Sequence, residues 1–467
     1  MTGKSGTGAR RRAITMTAAA VATTLFAAGC SSGGGGGAVG GGSDEGTLKV
    51  AYQKFGNFTQ MDEHMKATAE TFEAANPGMT VELVPIAAQE NDYFTKLALM
   101  NRSPATAPDV MYEDTFKIKS DAAAGYLLPL DEHVDGWEDW DMFYDNAKQA
   151  GVGEDGKVYG VPMGTDTRAL WYNQELFAEA GLPVPWQPET WDDVLEAAET
   201  IKAELPDVVP LNVYSGKPQG EASVMQGFEM LLYGTPGGTL YDDDSAKWVT
   251  GSQGFVDSLG FIEDVYQGEL GPRPEQALDT NIGTVVQGQW LPQGELAIAL
   301  DGSWVSGTWL EGGTNPWPEW DEVMGQAPMP TQDGQDPGAT SMSGGWTLAV
   351  GKGTQHADMA FAFIADALDK EGSQEYDIAA SQIAVRSDVA EDPEYSSSNP
   401  TFEFFSSIVE VTHFRPATTD YSRISNEITV AMEAVMTGQQ SPEEAAAAYD
   451  EALVGIVGED GTQQAED

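Results

Sequence analysis

Strand-like and helix-like runs take turns from Leu48 onward, and this order narrows the possible fold more than any other feature. Leu48-Lys49-Val50-Ala51-Tyr52 reads as a short strand. Phe58 to Ala75 reads as a helix, which Asn76-Pro77-Gly78 stops. In Met79 to Ile86, Val81, Leu83 and Ile86 alternate with polar positions, which marks a second strand. Asn91 to Arg102 is helical, with Tyr93, Leu97 and Met100 on one side. Pro108-Asp109-Val110-Met111-Tyr112 is a third strand, and the helix after it runs through Ala122 to Ala124 and stops at Gly125. Strands and helices at this spacing predict βαβ units on a parallel sheet, so the fold class is α/β.

The pattern continues along the chain. A helix over Gln174–Ala180 is closed by Gly181-Leu182-Pro183. Thr190 and Asp193 have the spacing of a capping box for a helix over Val194–Leu205. Further helices are expected at Gly220–Tyr233, Gln253–Gln267, Ala357–Leu368 and Ser441–Leu453. Leu296-Ala297-Ile298-Ala299-Leu300 reads as a buried strand, and Gly344 to Val350 as another. The end of the chain, residues 456–467, is expected to be a disordered tail. No internal repeat is visible.

The chain has 467 residues, room for two or three domains. Hydrophobic residues make up 41% and aromatics 9%, which is globular composition. There are 23 basic and 74 acidic residues, net −51, spread rather than gathered in a tail. Nucleic acid needs a basic face, so it is not a partner. The acidic surface has two open readings: a saline or alkaline habitat, where salt screens the self-repulsion, or solubility at a cell surface.

The one cysteine, Cys30, excludes an intrachain disulfide framework. Before it come Arg10, Arg11 and Arg12, then an alanine-rich apolar run ending Leu25-Phe26-Ala27-Ala28-Gly29. This order resembles a bacterial lipoprotein signal peptide over residues 1–29. The arginines leave Sec or twin-arginine export open. The resemblance implies cleavage before Cys30 and lipidation of its sulfur. Residues 30–46, mostly glycine and serine, read as a flexible tether. The mature chain is expected to be exported and lipid-anchored to the outer face of the membrane, not to span it.

The body resembles the family 1 extracellular solute-binding proteins of ABC importers, the maltose-binding-like class. Ala107-Pro108-Asp109-Val110-Met111, Tyr159-Gly160-Val161-Pro162 and Trp171-Tyr172-Asn173 carry the likeness. So do Pro188-Glu189-Thr190-Trp191-Asp192-Asp193, Gly294-Glu295-Leu296-Ala297-Ile298, Asp301-Gly302-Ser303-Trp304, Gly344-Gly345-Trp346 and Gly438-Gln439-Gln440-Ser441-Pro442-Glu443. The resemblance implies a type II periplasmic-binding-protein-like fold, with two discontinuous lobes joined by crossing strands. The first crossing would lie near Val161–Arg168, the return near Leu300–Trp304 and a third near Ser343–Trp346. That makes residues 47–163 and 301–344 the N-lobe, and 164–300 and 345–455 the C-lobe. It also implies a monomer that delivers a small solute to ABC permease subunits, with no cofactor or metal.

A sugar needs carboxylates and amides for its hydroxyls and aromatic planes for its C–H faces. Gln53 and Phe55 follow the first strand. Glu113 and Asp114 follow the third, where helix capping competes with ligand contact. Asp166 and Arg168 lie at the expected hinge, as ligand contacts or as a hinge ion pair. Trp304 and Trp346 sit at strand ends, as stacking platforms or as core. Trp171 and Tyr172 are adjacent, so only one can face a cleft. Arg386 and Arg415 lie in late polar loops, to bond a hydroxyl or to pair with surface acids. The resemblance adds Tyr214 and Glu221 in the second lobe. Asp242-Asp243-Asp244 lacks the spacing of a calcium loop and reads as a solvated turn. His64, His133, His356 and His413 show no zinc spacing.

Three functions compete: capture of a saccharide, capture of a polyamine, phosphodiester or metal ion by the same fold, and a secreted glycosidase. The tryptophans favour saccharide. No nucleophile elbow or phosphate loop appears.

Overall fold

The computed structural model describes residues 46–54 and 58–465. The expected signal segment, the lipidated Cys30 and most of the tether lie outside the described residues, as does Phe55.

Two sheets carry the architecture. The first is built from β1 (Gly46–Lys54), β2 (Met79–Ala87), β3 (Val110–Asp114) and β4 (Gly160–Thr165), joined by the late strand Gly345–Val350. Its order is β2-β1-β3-(345–350)-β4. β1 is parallel to both neighbours, while the late strand runs antiparallel to β3 and β4.

Side-chain alternation explains why this sheet is covered on both faces. Leu48, Val50 and Tyr52 pack with Met61, Met65, Ala69 and Phe72 of helix α1 (Gln60–Ala75), while Ala51 points the other way. There it meets Tyr93 and Leu97 of α2 (Glu90–Asn101). The four α1 residues recur every three to four positions, which makes one apolar stripe.

The second sheet contains β5 (Arg168–Asn173), flanked by Met324–Ala327 and Leu296–Gly302, with Val209–Asn212 outermost. The capping box at Thr190 and Asp193 is formed and starts the helix Trp191–Glu204. Among the described residues no helix is long and apolar enough to cross a membrane.

Two expectations are corrected. The chain does not return to the first lobe at Leu300–Trp304. Leu296–Gly302 pairs with β5 along its length, and Met324–Ala327 pairs with β5 on the other side. Trp309 and Trp320 pack on Trp171, with ring centroids 5.4 and 6.3 Å away, and hold the 301–344 segment to the second lobe. Each such buried ring contributes on the order of 2–3 kcal/mol. The crossing back comes at Ser343–Gly345. Residues 345–350 and the helices Ala357–Ala367 and Lys370–Ala380 belong with the first sheet and α1. The helices Tyr421–Met436 and Pro442–Val457 then pack on Gln253–Gln267 in the second lobe.

The tail is ordered through its last described residues. Thr462–Gln464 forms a strand parallel to Lys247–Thr250. Gln463 Nε2 donates to Asp242 Oδ2 at 2.8 Å, and Gln464 Nε2 to Thr250 Oγ1 at 2.9 Å. Polar composition suggested disorder, but an open strand edge supplied the missing partners. The Asp242 carboxylate also caps its own turn, accepting from Asp244 N and Ser245 N.

Candidate ligand-binding site

Strand ends, helix starts and hinge crossings converge on a cleft enclosing about 1380 Å³, open solvent included. Ligands of α/β folds bind beyond the carboxyl ends of strands and between lobes. Gln53, Asp114, Asp166, Arg168, Tyr214, Glu221, Trp304, Trp346 and Arg415 all line it.

From the first lobe, Gln53 ends β1 and is held by Nε2 donating to Ala88 O at 3.1 Å. Asp114 ends β3 and plays two parts: Oδ1 accepts from Phe116 N at 3.2 Å, capping the next turn, and from Arg415 Nη2 at 2.6 Å. Trp346 stacks flat on Tyr112 at 4.1 Å, so one of its faces is already taken.

At the hinge, Asp166 pairs with Arg168 and accepts from Gly344 N at 3.0 Å. Arg168 also donates to Met342 O and lies over the Trp304 ring at 4.7 Å. The pair locks the crossing strands and also lines the cleft.

In the second lobe, Tyr214 is fixed by donating to Asp301 Oδ2 at 2.8 Å. Glu221 accepts from Arg415, from Tyr421 at 3.1 Å and from Ser425. Tyr421 is also bonded at 3.1 Å to Glu229, which is fully buried. Glu221 leads directly into a π-helical stretch, Ala222–Glu229, whose wide turn lets Ala222, Met225 and Gln226 reach the cleft. Such bulges cluster at functional sites.

Burial alone disfavours the charged Arg415 guanidinium. Asp114 and Glu221 outweigh that and hold it well above its ordinary range. Burial, then repulsion from Glu221, pushes Glu229 up to about 8. Glu90, the first residue of α2, is also pushed up to about 8, by desolvation and then by Asp114. The Glu90 side chain remains partly accessible, so water in the cleft tempers that desolvation.

The lobes meet at several points among the described residues. Arg415 bonds Asp114 across the cleft. Gln89 Nε2 donates to Thr280 O at 3.0 Å. Gly220 sits at φ +52°, with Asn91 Nδ2 2.5 Å from where a Cβ would stand. The lobes are thus drawn together over the cleft.

Several candidates lie elsewhere. Glu113 alternates to the opposite face of β3 from Asp114. Among the described residues no backbone or basic group donates to its oxygens. Burial, then the neighbouring Asp121 carboxyl, raises Glu113 well above the usual carboxylate range. Arg386 is spent inside the first lobe on Asp139, Asp388 and Leu368 O. Neither Trp171 nor Tyr172 reaches the cleft: they occupy opposite faces of β5 and pack into separate cores. Conversely, Gln60, Tyr376 and Gln382 line the cleft without having been singled out, and Glu90 does so from the segment Gln89–Tyr93, of which no single residue was named as a contact. An acid at the first position of a helix looks like dipole complement, which hid Glu90.

Comparison with known proteins places this architecture. The family model for bacterial extracellular solute-binding proteins matches residues 56–374. The chain belongs to that family. Among curated members, an arabinooligosaccharide-binding protein of Halalkalibacterium halodurans is 22% identical over 338 residues, 70% of each chain. A binding protein of Brucella abortus (strain 2308) is 29% identical over 163 residues, 34% of this chain and 37% of its own length. Among solved structures, the GacH receptor of Streptomyces glaucescens GLA.O, studied free and with acarbose, superposes with a TM-score of 0.74. It is 24% identical and covers 89% of this chain and 100% of its own. The shared fold is that of a solute-binding protein.

Proposed function

We propose that this solute-binding protein captures an extracellular saccharide in the cleft and delivers it to the permease of an ABC importer, held at the membrane by a lipid on Cys30. The observation that carries the reading is the cleft itself: carboxylates, amides, guanidiniums and aromatic rings converge between two lobes that already touch across it. Hydroxyls suit the polar groups, and C–H faces suit Trp304 and the exposed side of Trp346. The relatives' arabinooligosaccharide and acarbose point the same way. Binding works by favouring the closed arrangement, so affinity is gained only from contacts that need both lobes. The protein acts as a monomer and performs no chemistry on its ligand.

The test is a thermal-shift screen of the purified protein against mono- and oligosaccharides in molar salt, with a product assay on each mixture. A saccharide at a hundredfold excess over its dissociation constant is expected to add about 2.7 kcal/mol of stability, without forming product. Hydrolysis products would replace this reading with a glycosidase, and silence across the sugars with a non-sugar solute.

A further inference from the structure

The charges that line the cleft do not balance. Glu90, Asp114, Asp166 and Glu221 face only Arg168 and Arg415. Asp166 is paired with Arg168, and Asp114 with Arg415. Glu221 has Arg415, Tyr421 and Ser425. Glu90 is left over: among the described residues no ion pair or hydrogen bond holds its carboxyl. Asp114, Glu221, Arg415 and Arg168 are the charges that act on it.

Two further groups in the same wall lack partners among the described residues. Gln60 is 8% exposed and its Oε1 accepts from no donor; Arg168 is 5% exposed and its Nε finds no acceptor. Buried polar atoms are almost always satisfied, so these point to a ligand. Gln60 asks for a donor and Arg168 for an oxygen, while Glu90 asks for a cation.

We infer that the solute carries a protonated nitrogen among its hydroxyls, as an amino sugar or aminocyclitol does, and seats that nitrogen at Glu90. The inference rests on the saccharide reading and narrows it. A polyamine would meet Glu90 but leave Arg168 Nε unanswered. A neutral sugar would leave the spare carboxyl without a counter-charge, to be neutralised by a proton instead.

These alternatives differ in proton traffic. Burial and the Asp114 carboxylate raise Glu90, so it binds a proton more readily than a free carboxylate when no cation lies beside it. A cation arriving beside it expels that proton at pH 7, whereas a neutral ligand does not.

The experiment is titration calorimetry at pH 7 in two buffers of different ionisation enthalpy. The probes are D-glucosamine against D-glucose, the β-1,4 glucosamine disaccharide against cellobiose and its di-N-acetyl form, and spermidine. The expected result is at least tenfold tighter binding of an amino sugar than of its neutral match, with net proton release. Glu90→Gln should erase both while leaving the melting temperature within a few degrees. Equal or tighter binding of the neutral member, or a preference that survives Glu90→Gln, overturns this inference and leaves saccharide capture standing. Binding of spermidine alone, or of no probe, also overturns this inference, while saccharide capture falls only with silence across the wider sugar panel.

Discussion

Two arginines of this chain looked alike in sequence and differ in what they hold together. Arg386 and Arg415 are 1% and 7% exposed, and each meets two carboxylates. Arg386 spends its fork on Asp388, Asp139 and a carbonyl of its own lobe. Arg415 reaches from the second lobe to Asp114 in the first. The first arrangement is part of a fold, and the second is part of a conformation. Their surroundings also titrate in opposite senses. The bonds from Arg386 hold Asp388 below the usual carboxylate range, whereas burial raises Glu221 and Glu229 behind Arg415.

The strongest way to separate the two regions is alkaline pH. Glu229 keeps its proton in the folded state up to about 8, while the unfolded chain loses it near pH 4.5. Its contribution is fully present below pH 4.5 and is lost as pH rises through about 8, on the order of 5 kcal/mol at most. Urea midpoints at pH 5 and pH 8.5 should show this decline, and Glu229→Gln should flatten it. An unchanged slope in the variant would mean that Glu229 is ionised in the folded protein.

The next effect is stability at constant pH. Arg386→Ala should cost about 2–3 kcal/mol, because Leu368 O and two carboxylates lose their donor while Asp139 and Asp388 retain some water. Affinity per folded molecule should not change. A variant that melts like the parent but binds weakly would reverse the roles assigned to the two arginines.

Arg415→Gln should do the converse. Loss of the bridge leaves Asp114 and Glu221 facing each other in the closed cleft. The scattering radius of gyration should rise, and saccharide affinity should fall about tenfold, roughly 1.4 kcal/mol. Unchanged affinity and radius together would rule out a closing role.

The smallest effect is on the acid side. Asp388→Asn should remove less than about 1 kcal/mol of the stability lost as pH falls below 4, since that carboxylate is partly solvated. A larger change would show that the Arg386 fork is drier than its neighbours suggest.

Much of this was legible in the chain. The alternation of Leu48, Val50 and Tyr52 and the stop at Asn76-Pro77-Gly78 locate β1 and α1 from local chemistry alone. Cleft residues such as Gln53, Asp114 and Asp166 were readable because ligand sites follow strand ends. The lobe assignment of 301–344 was not readable. A strand pattern says that Leu296–Leu300 is buried, but not that Met324–Ala327 pairs with the far side of β5 or that Trp309 packs on Trp171. Glu113 and Asp114 could be separated only once the face of β3 was known. Glu90 was hidden because an acid beginning a helix already has a sufficient local reason to be there.

The approach of Gly220 to Asn91 has one more consequence. Asn91 Nδ2 lies 2.5 Å from where a Cβ on residue 220 would stand, and the φ there is +52°. A side chain at that position would act as a wedge between the two walls of the cleft, so Gly220→Ala should hold them apart without removing a single polar group from the site.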